Sequence, residues 1–201
     1  LPLEFEAPGL WVSLSTVAPQ GRDSFFKKMT VVKNQLYRGR FQLQFSIHST
    51  DSGQRDRLIP VKKWDFSQIA RYGEQFLHEG DRKVTLNFAL EKDSLIDPEV
   101  LRGIFDPSKF LIKITPLNPT YRALQRGLSS GIDPTRTDLP FHPGLVAELG
   151  QCGFEVILSR GEFLENEIGS NCGQYVSRHL ESQTRLREGY QQVAPGRSGG
   201  R

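Results

Sequence analysis

The sequence predicts an α/β domain built on a parallel β-sheet, either open or closed into a barrel. Five short β-rich runs lie along the chain, and stretches with helical apolar spacing separate them. A chain of 201 residues, 37% of them hydrophobic, is long enough to bury one sizeable core. We therefore expect a single domain over residues 1–192 and a disordered, glycine-rich tail over residues 193–201.

The predicted elements alternate in type along the chain. The apolar, β-branched runs predict strands over residues 10–17, 41–47, 83–90, 110–115 and 155–158. Apolar residues at helical spacing predict helices over residues 24–37, 66–78, 98–105 and 143–150. Glycines and prolines predict a long surface loop over residues 120–142. In such folds the reactive groups gather where the strands end, so functional residues are expected there.

Composition narrows the classes of partner only slightly. The chain has 26 Lys and Arg against 23 Asp and Glu, and a net charge of +3 gives mild attraction to an anionic partner. No apolar run approaches the ~20 residues that span a bilayer, and no secretory signal pattern begins the chain. A cytoplasmic protein without a membrane partner is expected. Because the first residue is Leu1, we also expect the chain to begin inside a longer protein.

Polar residues follow the first two predicted strands. The first strand ends near Ser15 and Thr16, where helix capping is favoured over ligand binding. The second ends in Ser46, Ile47 and His48. A lone histidine at such a place is more often structural. The period of two along a strand nevertheless places Ser46 and His48 on one face, where both could contact one ligand.

Two further candidates lie nearer the C-terminus. Asn118 precedes a proline, which favours a turn, but its amide also suits the edge of an adenine. Cys172 stands between glycines in a tight segment, although a cysteine is more often an inert buried thiol. Cys152 is expected in the core. The spacing of the two cysteines indicates neither a disulfide framework nor a zinc site.

Taken in order, these segments resemble the radical S-adenosylmethionine (SAM) RNA adenine methyltransferases of the RlmN/Cfr family. The resemblance extends from about Trp11 to Tyr175. Four motifs carry it: Ser15-Thr16; Phe45-Ser46-Ile47-His48 with Asp51, Arg55 and Pro60; Pro116-Leu117-Asn118-Pro119; and Asn171-Cys172-Gly173-Gln174. Each motif is weak alone, but their common order makes chance agreement improbable.

The resemblance implies the C-terminal part of a TIM-type (β/α) radical SAM barrel. It implies SAM binding by Ser15, Ser46, Ile47, His48 and Asn118. Cys172 matches the cysteine that accepts a methyl group from one SAM molecule, which requires an exposed thiolate. A second SAM molecule is split reductively at a 4Fe-4S cluster, and the resulting carbon radical adds to C-2 of an RNA adenine. The implied partners are rRNA or tRNA and a reductant such as a flavodoxin-like electron donor.

The sequence also departs from the family pattern. The three-cysteine loop that holds the cluster, the Gly-Glu-Pro segment that contacts SAM and the second catalytic cysteine do not occur in the chain. In the family all three lie upstream, so the chain by itself is expected to bind no cluster and to be inactive. Val17-Ala18 replaces the usual Ser-Gly, and the enlarged loop over residues 120–142 could recognise a different RNA, or none.

Two alternatives therefore remain open. One is a radical SAM enzyme that acts on another substrate. The other is a non-catalytic paralogue that binds RNA or a protein.

Overall fold

The computed structural model describes residues 9–117 and 143–159. This part of the chain contains five strands and five helices, with one helix between successive strands except for two between the second and the third. In order they are β1 (Val12–Thr16), α1 (Asp23–Leu36), β2 (Phe41–Ser46), α2 (Ser52–Leu58), α3 (Phe66–Phe76), β3 (Val84–Leu90), α4 (Pro98–Ile104), β4 (Phe110–Pro116), α5 (Pro143–Gln151) and β5 (Glu155–Leu158). The five predicted strands and four predicted helices are confirmed. The sequence did not predict α2.

The five strands form one parallel sheet in the order β1-β2-β3-β4-β5. Each strand therefore pairs with the next strand along the chain, and the order never reverses. A doubly wound sheet reverses direction at a switch point, whereas consecutive strands of a (β/α) barrel stay neighbours. The described sheet is an α/β architecture consistent with part of such a barrel.

One apolar core lies between one face of the sheet and the helices. The strand residues that belong to this core occupy alternate positions, as Leu43 and Phe45 do in β2. The helices that cover this face contribute Phe26, Met29, Ile69, Phe76, Leu101, Leu145 and Leu149 to the same cluster. Because these four helices, α1, α3, α4 and α5, share one core with alternate strand residues, the other strand residues point away from them.

Aspartates fix the starts of three helices. Asp65 forms a capping box with Gln68 at α3, in which each side chain satisfies the other residue's backbone N–H. Asp97 caps α4 ahead of a proline, and Asp51 accepts from the backbone N–H of Gln54 at α2. None of the helices in the described ranges combines the length and apolar character needed to cross a membrane.

Candidate functional site

The face of the sheet that points away from the core is mostly polar. Register pairs Ser15 with Gln44, Ser46 with Asn87, and Asn87 with Lys113, so these side chains share one face across four strands. We call this surface, defined by these five residues, the polar face. Parallel sheets are usually apolar on both faces, because helices cover both. A polar face on such a sheet is therefore a place where polar ligands can bind.

Ser15 lies on the polar face at the end of β1. Its hydroxyl is exposed and accepts a hydrogen bond from Gln44 Nε2 at 3.2 Å. The prediction that a hydroxyl here caps a helix is wrong, since α1 begins seven residues after Thr16 and its N-cap is Arg22. Thr16 Oγ1 instead accepts from the backbone N–H of Ala18 at 3.0 Å and shapes the turn. Ser15 remains available to a ligand.

The chain turns sharply after Ser46, the last residue of β2. The backbone N–H groups of Ile47 and His48 both donate to the carbonyl of Asn87, at 2.8 Å and 3.3 Å. His48 has φ +65°, in the left-handed region that residues other than glycine rarely adopt. The prediction that Ser46 and His48 share a strand face is wrong, because the period of two ends where the extended backbone ends.

The imidazole of His48 folds back over β3. Its Nδ1 accepts a hydrogen bond from the backbone N–H of Ala89 at 2.9 Å. Burial, helped by the nearby charge of Arg55, lowers the pKa of His48 to about 4. The ring is therefore neutral at pH 7, and since Nδ1 is an acceptor, the proton resides on Nε2. No hydrogen bond joins Nε2 to any part of the chain that the structure describes, so His48 offers one N–H donor.

The side chain of Ile47 takes a different role from its neighbours. It is fully buried in the apolar core. Any contact between Ile47 and a ligand must therefore come from its backbone.

The polar residues that follow His48 are structural. Asp51 is occupied as the N-cap of α2. Arg55, also buried, donates from Nη1 to the carbonyl of Trp64 at 2.8 Å and lies over the ring of Phe66, 4.9 Å from its centroid. Burial lowers the pKa of Arg55 to about 10, which leaves it charged at pH 7. The motif around Ser46 thus combines partly exposed polar groups with residues that hold the turn.

The remaining predicted site residues, Asn118 and Cys172, lie outside the described residues, as do the loop over residues 120–142 and the tail over residues 193–201. Cys152 lies within the described part and is buried, which confirms the prediction that it belongs to the core. Its Sγ donates to Glu99 Oε1 at 3.4 Å. Burial, then the neighbouring Glu99, raises the pKa of the Cys152 thiol, so this sulfur is a poor nucleophile.

The described residues do not suit an iron-sulfur cluster. Over residues 9–117 and 143–159, no three His, Cys, Asp or Glu side chains converge as a metal site. The full sequence has 2 cysteines, fewer than the three thiolates of a radical SAM cluster loop. The chain therefore lacks the ligands for such a cluster.

Comparison with known proteins finds a partial similarity. Over 82 residues, 39% of this chain, it is 29% identical to the probable dual-specificity RNA methyltransferase RlmN of Salinispora arenicola (strain CNS-205). The matched stretch spans 22% of that protein's length. No protein-family model matches the chain. The similarity supports a relation to radical SAM methyltransferases.

Three residues of the polar face were not predicted as site residues: Gln44, Asn87 and Lys113. The sequence held a signal for Gln44. Polar residues recur at every second position of β2, as Gln42, Gln44 and Ser46, and this alternation is unusual for a strand in a parallel sheet.

Proposed function

We propose that this chain is the C-terminal part of a radical SAM enzyme that methylates adenine in rRNA or tRNA. The observation that carries the proposal is the neutral His48, which presents an N–H donor just beyond the end of β2. Ligands of (β/α) folds bind at this end of the strands. The partial similarity to an RNA methyltransferase points to the same class of reaction.

The polar face suits SAM. The ligand carries an amino group, a carboxylate, two ribose hydroxyls and an adenine, all of which need hydrogen-bond partners. Ser15 and Ser46 supply hydroxyls that both donate and accept, and His48 Nε2 supplies a donor. The backbone of Ile47 and the amide of Asn118 complete the proposed set.

Bound SAM would supply the methyl group and, when it is cleaved reductively at a 4Fe-4S cluster, the radical that activates it. The residues of this chain would hold and orient it. We propose that the cluster ligands belong to another part of the full-length protein and that a flavodoxin-like donor provides the electron. Cys172 is the proposed methyl carrier, since Cys152 is buried with a raised thiol pKa.

Deletion of the gene is expected to abolish 2-methyladenosine in total rRNA or tRNA, as measured by mass spectrometry of nucleosides. The full-length wild-type gene should restore it. Unchanged 2-methyladenosine in the deletion strain would remove the RNA substrate from the proposal and would favour a radical SAM enzyme with another substrate, or a paralogue without activity.

A further inference from the structure

Three polar side chains form a row across the middle of the polar face. Ser46 of β2 pairs in register with Asn87 of β3, which pairs with Lys113 of β4. Neighbouring strands lie about 4.8 Å apart, so three side chains at one level can contact a single small group. We call Ser46, Asn87 and Lys113 the polar row.

Asn87 is the buried centre of the row. The residue is 9% exposed, and its Oδ1 is buried without a hydrogen-bond partner. Buried polar atoms in folded proteins nearly always have a partner. The backbone carbonyl of Asn87 is already used by Ile47 and His48, which fixes the residue in place. The unpartnered oxygen is therefore positioned to accept from a donor that a ligand brings.

Lys113 supplies the charge of the row. It is partly buried in the middle of β4 and forms no ion pair with any side chain in the described ranges. The nearest acidic residue of the adjacent strand, Glu155, pairs with Lys83 at 3.8 Å. Lysine is rarely buried unless it is paired. A free ammonium group beside an unpartnered acceptor suits a ligand that carries an anion next to a donor.

We propose that the polar row binds an anionic oxygen group that has an N–H or O–H donor beside it on a small ligand. Lys113 would pair with the anion, Asn87 Oδ1 would accept from the donor, and Ser46 would bond to either. Two sources have this chemistry: the amino-acid end of SAM, and the 5′-phosphate and ribose of an adenylate. The first source rests on the proposed function, whereas the second does not. The low exposure of Asn87 favours a small group over the surface of an RNA helix.

Calorimetric titration of the full-length protein, purified without air, tests the proposal. S-adenosylhomocysteine is compared with 5′-methylthioadenosine, which lacks the amino-acid end, and AMP is compared with adenosine. The variants are Lys113→Met, Asn87→Leu and the size-conserving Asn87→Asp. Lys109→Met is the matched control, because Lys109 lies near the start of the same strand and pairs with Glu74 on the surface.

Lys113→Met and Asn87→Leu are expected to weaken the binding of one of the two charged ligands by about 10- to 100-fold, whereas Asn87→Asp, which keeps an acceptor oxygen, should weaken it less. The affinity for the matching truncated ligand, 5′-methylthioadenosine or adenosine, should change by less than about twofold. The control variant should bind every ligand with an affinity within the same limit. If only the affinity for S-adenosylhomocysteine falls, the row binds SAM; if only the affinity for AMP falls, the row binds a nucleotide. Equal affinity in variants and control, or equal loss for charged and truncated ligands, overturns the proposal.

The melting temperature of the ligand-free variants separates binding from folding. Asn87→Leu removes an unpartnered polar atom, so its melting temperature should equal or exceed that of the wild type. A clear decrease would assign Asn87 a structural role and contradict the proposal. His48 lies outside the polar row, so SAM binding by a His48 variant tests the proposed function separately, and a failure of that function remains distinguishable from a failure of the polar row.

Discussion

Replacement of Lys33 by methionine is expected to lower the free energy of unfolding by about 3–5 kcal/mol. Lys33 is fully buried on α1, and its ammonium group donates to Asp81 and, at 2.7 Å, to the carbonyl of Phe76. It also lies over the ring of Phe76, 4.7 Å from the centroid. Methionine conserves most of the volume but leaves the Asp81 carboxylate buried without its cation.

Asp81 explains why the loss should be large. Burial alone would raise its pKa, but hydrogen bonds from Lys33 and from the backbone N–H groups of Gly39 and His78 lower it overall. Asp81 therefore stays charged and joins α1 to the turns before β2 and β3. Without Lys33 it must either remain as an unpaired buried charge or take up a proton.

Denaturant unfolding measures the effect, and Arg57→Met is its control. Arg57 Nη2 lies 2.9 Å from Glu91 Oε2, but the Arg57 side chain is 59% exposed. Loss of this ion pair should therefore change the free energy of unfolding by less than about 1 kcal/mol. The double variant Lys33→Met with Asp81→Asn should be less destabilised than the sum of the single variants, because they share one interaction. A Lys33→Met variant no less stable than Arg57→Met would contradict the importance assigned to the buried pair.

Cys172→Ala is expected to reduce RNA methylation by the full-length enzyme by at least about three orders of magnitude. Under the proposed function, its sulfur carries the methyl group, and no other side chain of the chain replaces it. Transfer of labelled methyl groups to RNA, with the purified enzyme kept free of air, gives the rate.

Cys152→Ala is the matched control for this experiment. The Cys152 thiol is buried against Glu99 on the helix side of the sheet, and its pKa is raised. Its removal should lower stability slightly and change the rate by less than about twofold. Equal activity of Cys172→Ala and Cys152→Ala would exclude Cys172 as the methyl carrier.

The sequence predicted the strands because their apolar residues are concentrated and separated by breakers. It did not predict α2, because that helix buries only Arg55 and therefore has no apolar stripe. The one local signal was Asp51, whose side chain caps the first turn. The spacing of apolar residues cannot predict a helix that packs through a polar residue.

The candidate site was predictable in its location but not in its geometry. Polar residues at strand ends identified Ser15, Ser46 and His48. The left-handed backbone at His48 depends on the tertiary contact between its ring and Ala89, which no local pattern encodes. Asn87 and Lys113 were overlooked because their strands are mostly apolar, so each looked like an isolated exception rather than part of a row across the sheet.

Equilibrium binding of SAM to the full-length protein, purified without air, tests most directly whether the polar face and the adjoining His48 hold the cofactor. Ser46→Ala and His48→Leu are expected to weaken binding by about 10-fold or more, since each removes a hydrogen bond to the ligand. His78→Leu, at an exposed histidine that bonds only to Asn34 through its side chain in the described chain, should bind like the wild type. Unchanged affinity in both Ser46→Ala and His48→Leu would contradict the placement of SAM on this face.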